Sequence, residues 1–188
     1  ITMKNLFLSL TLLIGSIGMI SAQGLSVGDQ APDFELKNTD GKMVSLSEME
    51  GNEGAIVIFS CNHCPYVKAY ESRMIMLHNN FASKGYPVIA INSNDTKAYP
   101  DDSYENMQKR AKEKGFPFDY VIDPTQETAK AYGATRTPHV YLLEKNDDGS
   151  YEVAYIGAID DNTQSPSKVK NKYVEAAIAA IEEGKEPD

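Results

Sequence analysis

Ala55-Ile56-Val57-Ile58-Phe59 is an apolar run too short for a helix, and Cys61-Asn62-His63-Cys64 follows it almost at once. A helical pattern then begins. Val67, Tyr70, Met74, Leu77 and Phe81 recur at spacings of three and four, and Gly85 is placed to end it. A buried strand feeding a helix through a tight Cys-x-x-Cys junction admits few architectures. It calls for a sheet buried on both faces, with helices as crossovers.

The rest of the chain repeats the alternation. Phe34-Glu35-Leu36 and Met43-Val44-Ser45-Leu46 flank Asn38-Thr39-Asp40-Gly41 and predict an opening hairpin. Pro87 to Asn92 reads as a second buried strand. Asp102 with Glu105 predicts a capping box for a helix through Lys114. Tyr120-Val121-Ile122 is a strand, and Asp123-Pro124 with Gln126 opens a helix that Gly133 closes. His139 to Leu143 and Tyr151 to Ile156 form a hairpin across Asn146-Asp147-Asp148-Gly149. Ser165-Pro166 is expected to start a last amphipathic helix carrying Tyr173, Ala177, Ile178 and Ile181. The predicted fold is α/β: a central mixed sheet flanked by helices, with an added N-terminal β-hairpin.

The 188 residues suit one domain, set here at 23–188. Residues 1–22 read as a signal peptide. Met3 is the expected start, with Ile1 and Thr2 upstream of it. Lys4 supplies the positive charge, Leu6 to Ile20 is an uncharged, mostly apolar run, and Ser21-Ala22 offers a cleavage site before Gln23. A membrane anchor is the alternative, but 15 residues fall short of the roughly 20 that a spanning helix needs. The mature chain is therefore expected to be exported, periplasmic in a double-membraned bacterium, and not inserted in a membrane. A net charge of −9 without a Lys/Arg cluster argues against a nucleic-acid partner.

Two cysteines are too few for a disulfide-stapled mini-fold or a multi-cysteine zinc module. Both sit in the one CxxC, and exported space permits disulfides. A helix N-terminus favours thiolate over thiol, so Cys61 is expected to have a lowered pKa and to attack, with Cys64 resolving one turn into the helix. Protonated His63 would tune the pair further and make the disulfide more oxidising. A quiet structural disulfide is the plain alternative, but so small a loop removes little unfolded-state entropy. A metal held by Cys61, Cys64 and His63 or His139 is another, although nothing in the spacing forces those groups together. Thr137-Pro138, just before the predicted strand at His139, reads on its own as an ordinary strand-start proline. Tyr66 and Tyr70 read as core, and Asp160-Asp161 as a capped or solvated turn.

Three motifs together carry a resemblance. They are Ala31-Pro32-Asp33-Phe34-Glu35-Leu36 with Asp40-Gly41, Phe59-Ser60-Cys61-Asn62-His63-Cys64-Pro65-Tyr66-Val67, and Tyr132-Gly133-Ala134-Thr135-Arg136-Thr137-Pro138. With Gly157 to Asn162 they resemble the thioredoxin-like superfamily, in its peroxiredoxin-like branch (redoxins, alkyl hydroperoxide reductase/thiol-specific antioxidant) and a CxxC-containing subgroup of it. The likeness runs from about Val27 to Ile181. It implies a thioredoxin-like fold and catalysis by Cys61 and Cys64. It also implies a cis Pro138 facing the pair, with Thr137 presenting backbone to a substrate. Protein or small-molecule thiols and disulfides would be the substrates, with a redox partner that the sequence does not identify. The redox-active disulfide would be the only cofactor, and no metal is expected.

Departures from the pattern matter. Ser60 stands where thioredoxins carry Trp, and Ala55 where they bury an Asp, which leaves the resolving thiol without an assigned proton acceptor. In a second alignment the chain is a thiol peroxidase, an antioxidant enzyme reducing hydroperoxides. Cys64 is then the peroxidatic thiol and Arg136 steadies it, while Cys61 and Val57 replace that family's Thr and Pro. A third possibility, from another class, is a metal-binding or redox-sensing protein.

Overall fold

A computed structural model describes residues 24–187. The signal-peptide reading of 1–22 lies outside the described residues. Among the described residues no helix is long and apolar enough to cross a membrane.

Strands β1 (Glu35–Asn38) and β2 (Met43–Ser45) form the opening hairpin. β3 (Gly54–Ser60), α1 (Pro65–Phe81), β4 (Val88–Asn92), α2 (Tyr104–Lys114), β5 (Asp119–Ile122) and α3 (Glu127–Tyr132) follow in alternation. β6 (His139–Lys145), β7 (Tyr151–Gly157) and α4 (Tyr173–Glu182) complete the chain. The seven strands lie in the order β2-β1-β5-β4-β3-β6-β7. β3, β4 and β5 are mutually parallel where they pair, whereas β1, β6 and β7 run antiparallel to their neighbours. This is the expected mixed sheet, with the hairpin extending it beyond β5.

Alternation along the strands explains why the central runs read as continuously apolar. Ile56, Ile58, Val88, Ala90, Val140 and Leu142 point to one face, where Met74 and Leu77 of α1, Met107 of α2 and Ile178 of α4 cover them. Their neighbours Val57, Phe59, Ile89, Ile91, Tyr141 and Leu143 point to the other, against Tyr132 of α3 and Phe34 of the N-terminal segment. Both faces are covered, so apolar residues fill most of the central strand positions on either side.

Several local expectations are corrected. The cap of α2 is Ser103, whose side chain accepts from the Asn106 N–H at 3.4 Å. Asp102 is freed from capping and is fully buried elsewhere. Gln126 enters the left-handed region at φ 60°, so α3 begins only at Glu127 and Pro124 is not its first residue. Ser165-Pro166 starts a single 3-10 turn, not α4. The Asp161 carboxylate accepts from the backbone N–H groups of Lys170 and Asn171, holding that stretch out of the helix until Tyr173. Tyr66 is 62% exposed, whereas Tyr70 is core as expected. Asp160 is buried, its carboxylate gripped by Arg73 Nη1 at 2.6 and 2.8 Å.

Candidate active site

β3 ends at Ser60 in the middle of the sheet and delivers Cys61-Asn62-His63-Cys64 to its carboxyl end, where α1 begins. Cys64 is the N-cap residue of α1, in extended conformation, with Pro65 as the first helical residue. Proline suits that position because its missing N–H would have no helical partner there. Cys64 is therefore not one turn into the helix. It stands at the positive end of the helix dipole, and Cys61 lies ahead of it.

Both sulfurs turn toward Thr137. Cys61 Sγ shares a hydrogen bond with Thr137 Oγ1 at 3.5 Å, and Cys64 Sγ donates to the Thr137 carbonyl at 3.4 Å. The Thr137–Pro138 peptide bond is cis. The loop before β6 thus faces the CxxC across 73 residues of sequence. Thr137 also lines a cleft of about 360 Å³ beside the pair, with Ser60, His63, Tyr99, Gln126 and Arg136. Arg136 is exposed on that cleft, but the sulfurs spend their hydrogen bonds on Thr137.

The two thiols differ in a way opposite to expectation. Cys61 is 1% exposed, whereas Cys64 is half-buried. Burial pushes the Cys61 thiol above the ordinary cysteine value. The Thr137 hydroxyl and the Cys64 N–H pull the other way, and the negative Asp102 side chain adds to the rise. The expected lowering of Cys61 by the helix terminus is thus overturned by its burial.

Asp102 is the site residue that sequence reasoning missed. Its Oδ1 accepts from the backbone N–H groups of Asn62 at 2.6 Å and His63 at 3.2 Å. Its Oδ2 accepts from Asn94 Nδ2 at 2.7 Å and meets His63 Nδ1 at 2.6 Å. The His63 ring lies flat on Tyr99, with centroids 4.6 Å apart and planes 5° apart. Asn62 is itself pinned, accepting from the Tyr120 hydroxyl and donating to the Asp101 carbonyl. The CxxC backbone is therefore held by a buried carboxylate from the loop between β4 and α2.

The sulfur of Cys61, a ring nitrogen of His63 and a carboxylate oxygen of Asp102 lie within 4.8 Å of one another. Four hydrogen bonds already occupy the two Asp102 oxygens. Among the described residues, the Cys61–Cys64–His grouping weighed for a metal is not the one that assembles. His139 is buried behind Pro138 and faces Tyr141. Tyr141 gives its only proton to the Tyr132 carbonyl at 2.9 Å, so His139 Nδ1 donates to the Tyr141 oxygen.

A thioredoxin-like sheet with a CxxC between its central strand and first helix, facing a cis proline, defines the class of thiol–disulfide oxidoreductases. The chain belongs to the AhpC/TSA family, whose pattern matches residues 27–155. The thiol-disulfide oxidoreductase ResA of Bacillus subtilis is 26% identical over 140 residues, which cover 74% of this chain and 73% of that one. The crystal structure of an uncharacterized conserved protein from Geobacillus kaustophilus is 40% identical, with a TM-score of 0.78 over 87% of this chain and 85% of that one. A thiol:disulfide interchange protein of the thioredoxin family from Chlorobium tepidum, 20% identical, shares the fold at a TM-score of 0.58 over 74% of this chain and 92% of that one.

Proposed function

We propose that this chain exchanges disulfides through Cys61 and Cys64, cycling between a dithiol and an internal disulfide. The observation that carries this reading is the convergence of both sulfurs on Thr137, beside a cleft that a substrate can enter. Exposure favours Cys64 as the sulfur that meets the substrate and forms the mixed disulfide. Cys61, buried against it, then attacks Cys64 and releases the substrate thiol. These roles reverse the order read from the sequence. Thr137, at the rim, presents its backbone to the substrate chain. The segment from Lys4 to Ala22 supports export, and N-terminal sequencing of the secreted or periplasmic protein should then begin at Gln23.

The test is reaction of the reduced protein and its Ser variants with an aromatic disulfide, followed by mass spectrometry. Cys61→Ser should hold a stable adduct on Cys64, and Cys64→Ser should react far more slowly than wild type. Equal turnover by both variants would overturn the assignment. A second-order constant with hydrogen peroxide above about 10⁴ M⁻¹s⁻¹ would instead establish a peroxidase.

A further inference from the structure

We propose that His63, held in place by Asp102, takes the proton from Cys61 when Cys61 attacks the mixed disulfide on Cys64. His63 is then the proton acceptor of the reaction, and Asp102 is a positioning residue acting through it. The inference rests on the exchange reading above and extends it.

The geometry makes three demands and meets each. Cys61 needs an acceptor, because it is enclosed and no solvent reaches it directly. A ring nitrogen of His63 lies within 4.8 Å of its sulfur, a span that one intervening water bridges. The ring must also present the right nitrogen. Asp102 Oδ2 accepts at Nδ1, which puts the proton there and leaves Nε2 as the basic atom. Finally the ring must not swing away. Stacking on Tyr99 fixes its plane, and the hydrogen bond from its own backbone N–H to Asp102 fixes its root.

Among the described residues, the other groups beside Cys61 do not suit the role. The Thr137 hydroxyl is a poor base. Cys64 is engaged in the mixed disulfide at that moment. Arg136 in the cleft and Tyr120 behind Asn62 are donors, the latter committed to Asn62 Oδ1. Asp102 itself is closed off by four hydrogen bonds.

The step balances. Nε2 takes the proton of Cys61–SH, and the Cys61 sulfur attacks Cys64 Sγ. The Cys61–Cys64 bond forms as the Cys64–substrate S–S bond breaks. Over adduct formation and this step together the pair is oxidised by two electrons, and the substrate sulfur leaves as a thiolate that can collect the proton from His63.

Stopped-flow mixing of the reduced protein with Ellman's reagent tests this, since a first thionitrobenzoate appears on adduct formation and a second on attack by Cys61. In wild type the second phase should already be fast at neutral pH. In His63→Gln and Asp102→Asn it should slow at least tenfold at neutral pH, toward the roughly 10²-fold or more expected of a lost general base. It should then climb with pH and approach wild type in alkali, where hydroxide removes the proton unaided. Retention of the wild-type rate in His63→Gln at neutral pH overturns the proposal. So does a slowing by one factor at every pH, which marks a merely structural loss. His63 is partly exposed, so His63→Gln decides the matter even where Asp102→Asn does not fold. Absence of any second phase in wild type would instead defeat the exchange reading itself.

Discussion

Asp160 and Arg73 show how much a single residue's role depends on distant partners. Arg73 Nη1 holds the Asp160 carboxylate and the Asn162 carbonyl, while Nη2 holds the carbonyls of Ala69 and Thr163. Its guanidinium stacks 3.8 Å from the Tyr70 ring centroid, and the Tyr70 hydroxyl donates to Asp160 Oδ1. Removing one partner leaves the other charge buried, which costs about 3–5 kcal/mol. Asp160→Ala should therefore lower the unfolding free energy by that order in urea titration. The double variant Arg73→Met, Asp160→Leu should recover much of the loss. A loss under about 1 kcal/mol in Asp160→Ala would show that the pair is not isolated from water as its burial implies. Neither this pair nor Asp102 was legible in the sequence. Asp160 lies 87 residues from Arg73, and Asp102 lies 39 from His63. An aspartate two residues before a helix looks like a cap, and one in a Gly-Ala-Ile-Asp-Asp-Asn string looks like a turn. Cys61, Cys64, His63, Thr137 and Pro138 were legible because each lies in a short string with its own chemistry.

At the scale of elements, the strands and helices were readable because periodicity is local. A run buried on both faces loses its polar alternation, and a helix buried on one side keeps its spacing of three and four. Element starts were less readable, since side chains from far along the chain set them, as Asp161 does ahead of α4. Helix ends were clearer, through glycine. Gly115 and Gly133 end α2 and α3 at φ 63° and 71°. They differ in surroundings. A Cβ on Gly115 would meet nothing within 4 Å, whereas one on Gly133 would lie 2.2 Å from Gly24 Cα. The N-terminal segment crosses there, with Leu25 N–H donating to the Tyr132 carbonyl at 3.1 Å. Gly115→Ala should cost only the left-handed penalty of about 1–2 kcal/mol. Gly133→Ala should cost more and should release the segment around Gly24, visible as faster amide exchange at Leu25. Equal losses in the two variants would mean that the segment yields without cost.

For the whole molecule, pH acts on stability and on redox poise through different groups. Burial pulls His139 down from its ordinary value to about 4, with Arg136 adding to the effect. Above roughly pH 6.5, where a free histidine is mostly neutral, its full contribution to stability is present. Between there and about pH 4 the unfolded chain binds a proton that the folded chain refuses, so stability falls on acidification by about 2–3 kcal/mol. His139→Gln should flatten that part of the profile in urea titrations, and an unchanged slope would move the acid sensitivity to another group. Redox poise turns on Cys61. A thiolate favoured in the folded protein stabilises the reduced pair and makes its disulfide oxidising. The sequence pointed that way, through the helix terminus and His63. Burial reverses the sign at Cys61, whose thiol is pushed up, so that sulfur adds no such stabilisation to the dithiol at neutral pH. The pair should then sit near the thioredoxin end of the scale, about −270 mV, rather than the DsbA end near −120 mV. Equilibration in graded dithiothreitol buffers, with alkylation to count free thiols, gives the midpoint. A value on the oxidising side of about −200 mV would mean that the helix terminus at Cys64 outweighs the burial of Cys61 and that electrons flow into this protein from its substrates. A value well below it makes the reduced protein the donor, passing electrons out through Cys64 to the disulfide it meets in the cleft.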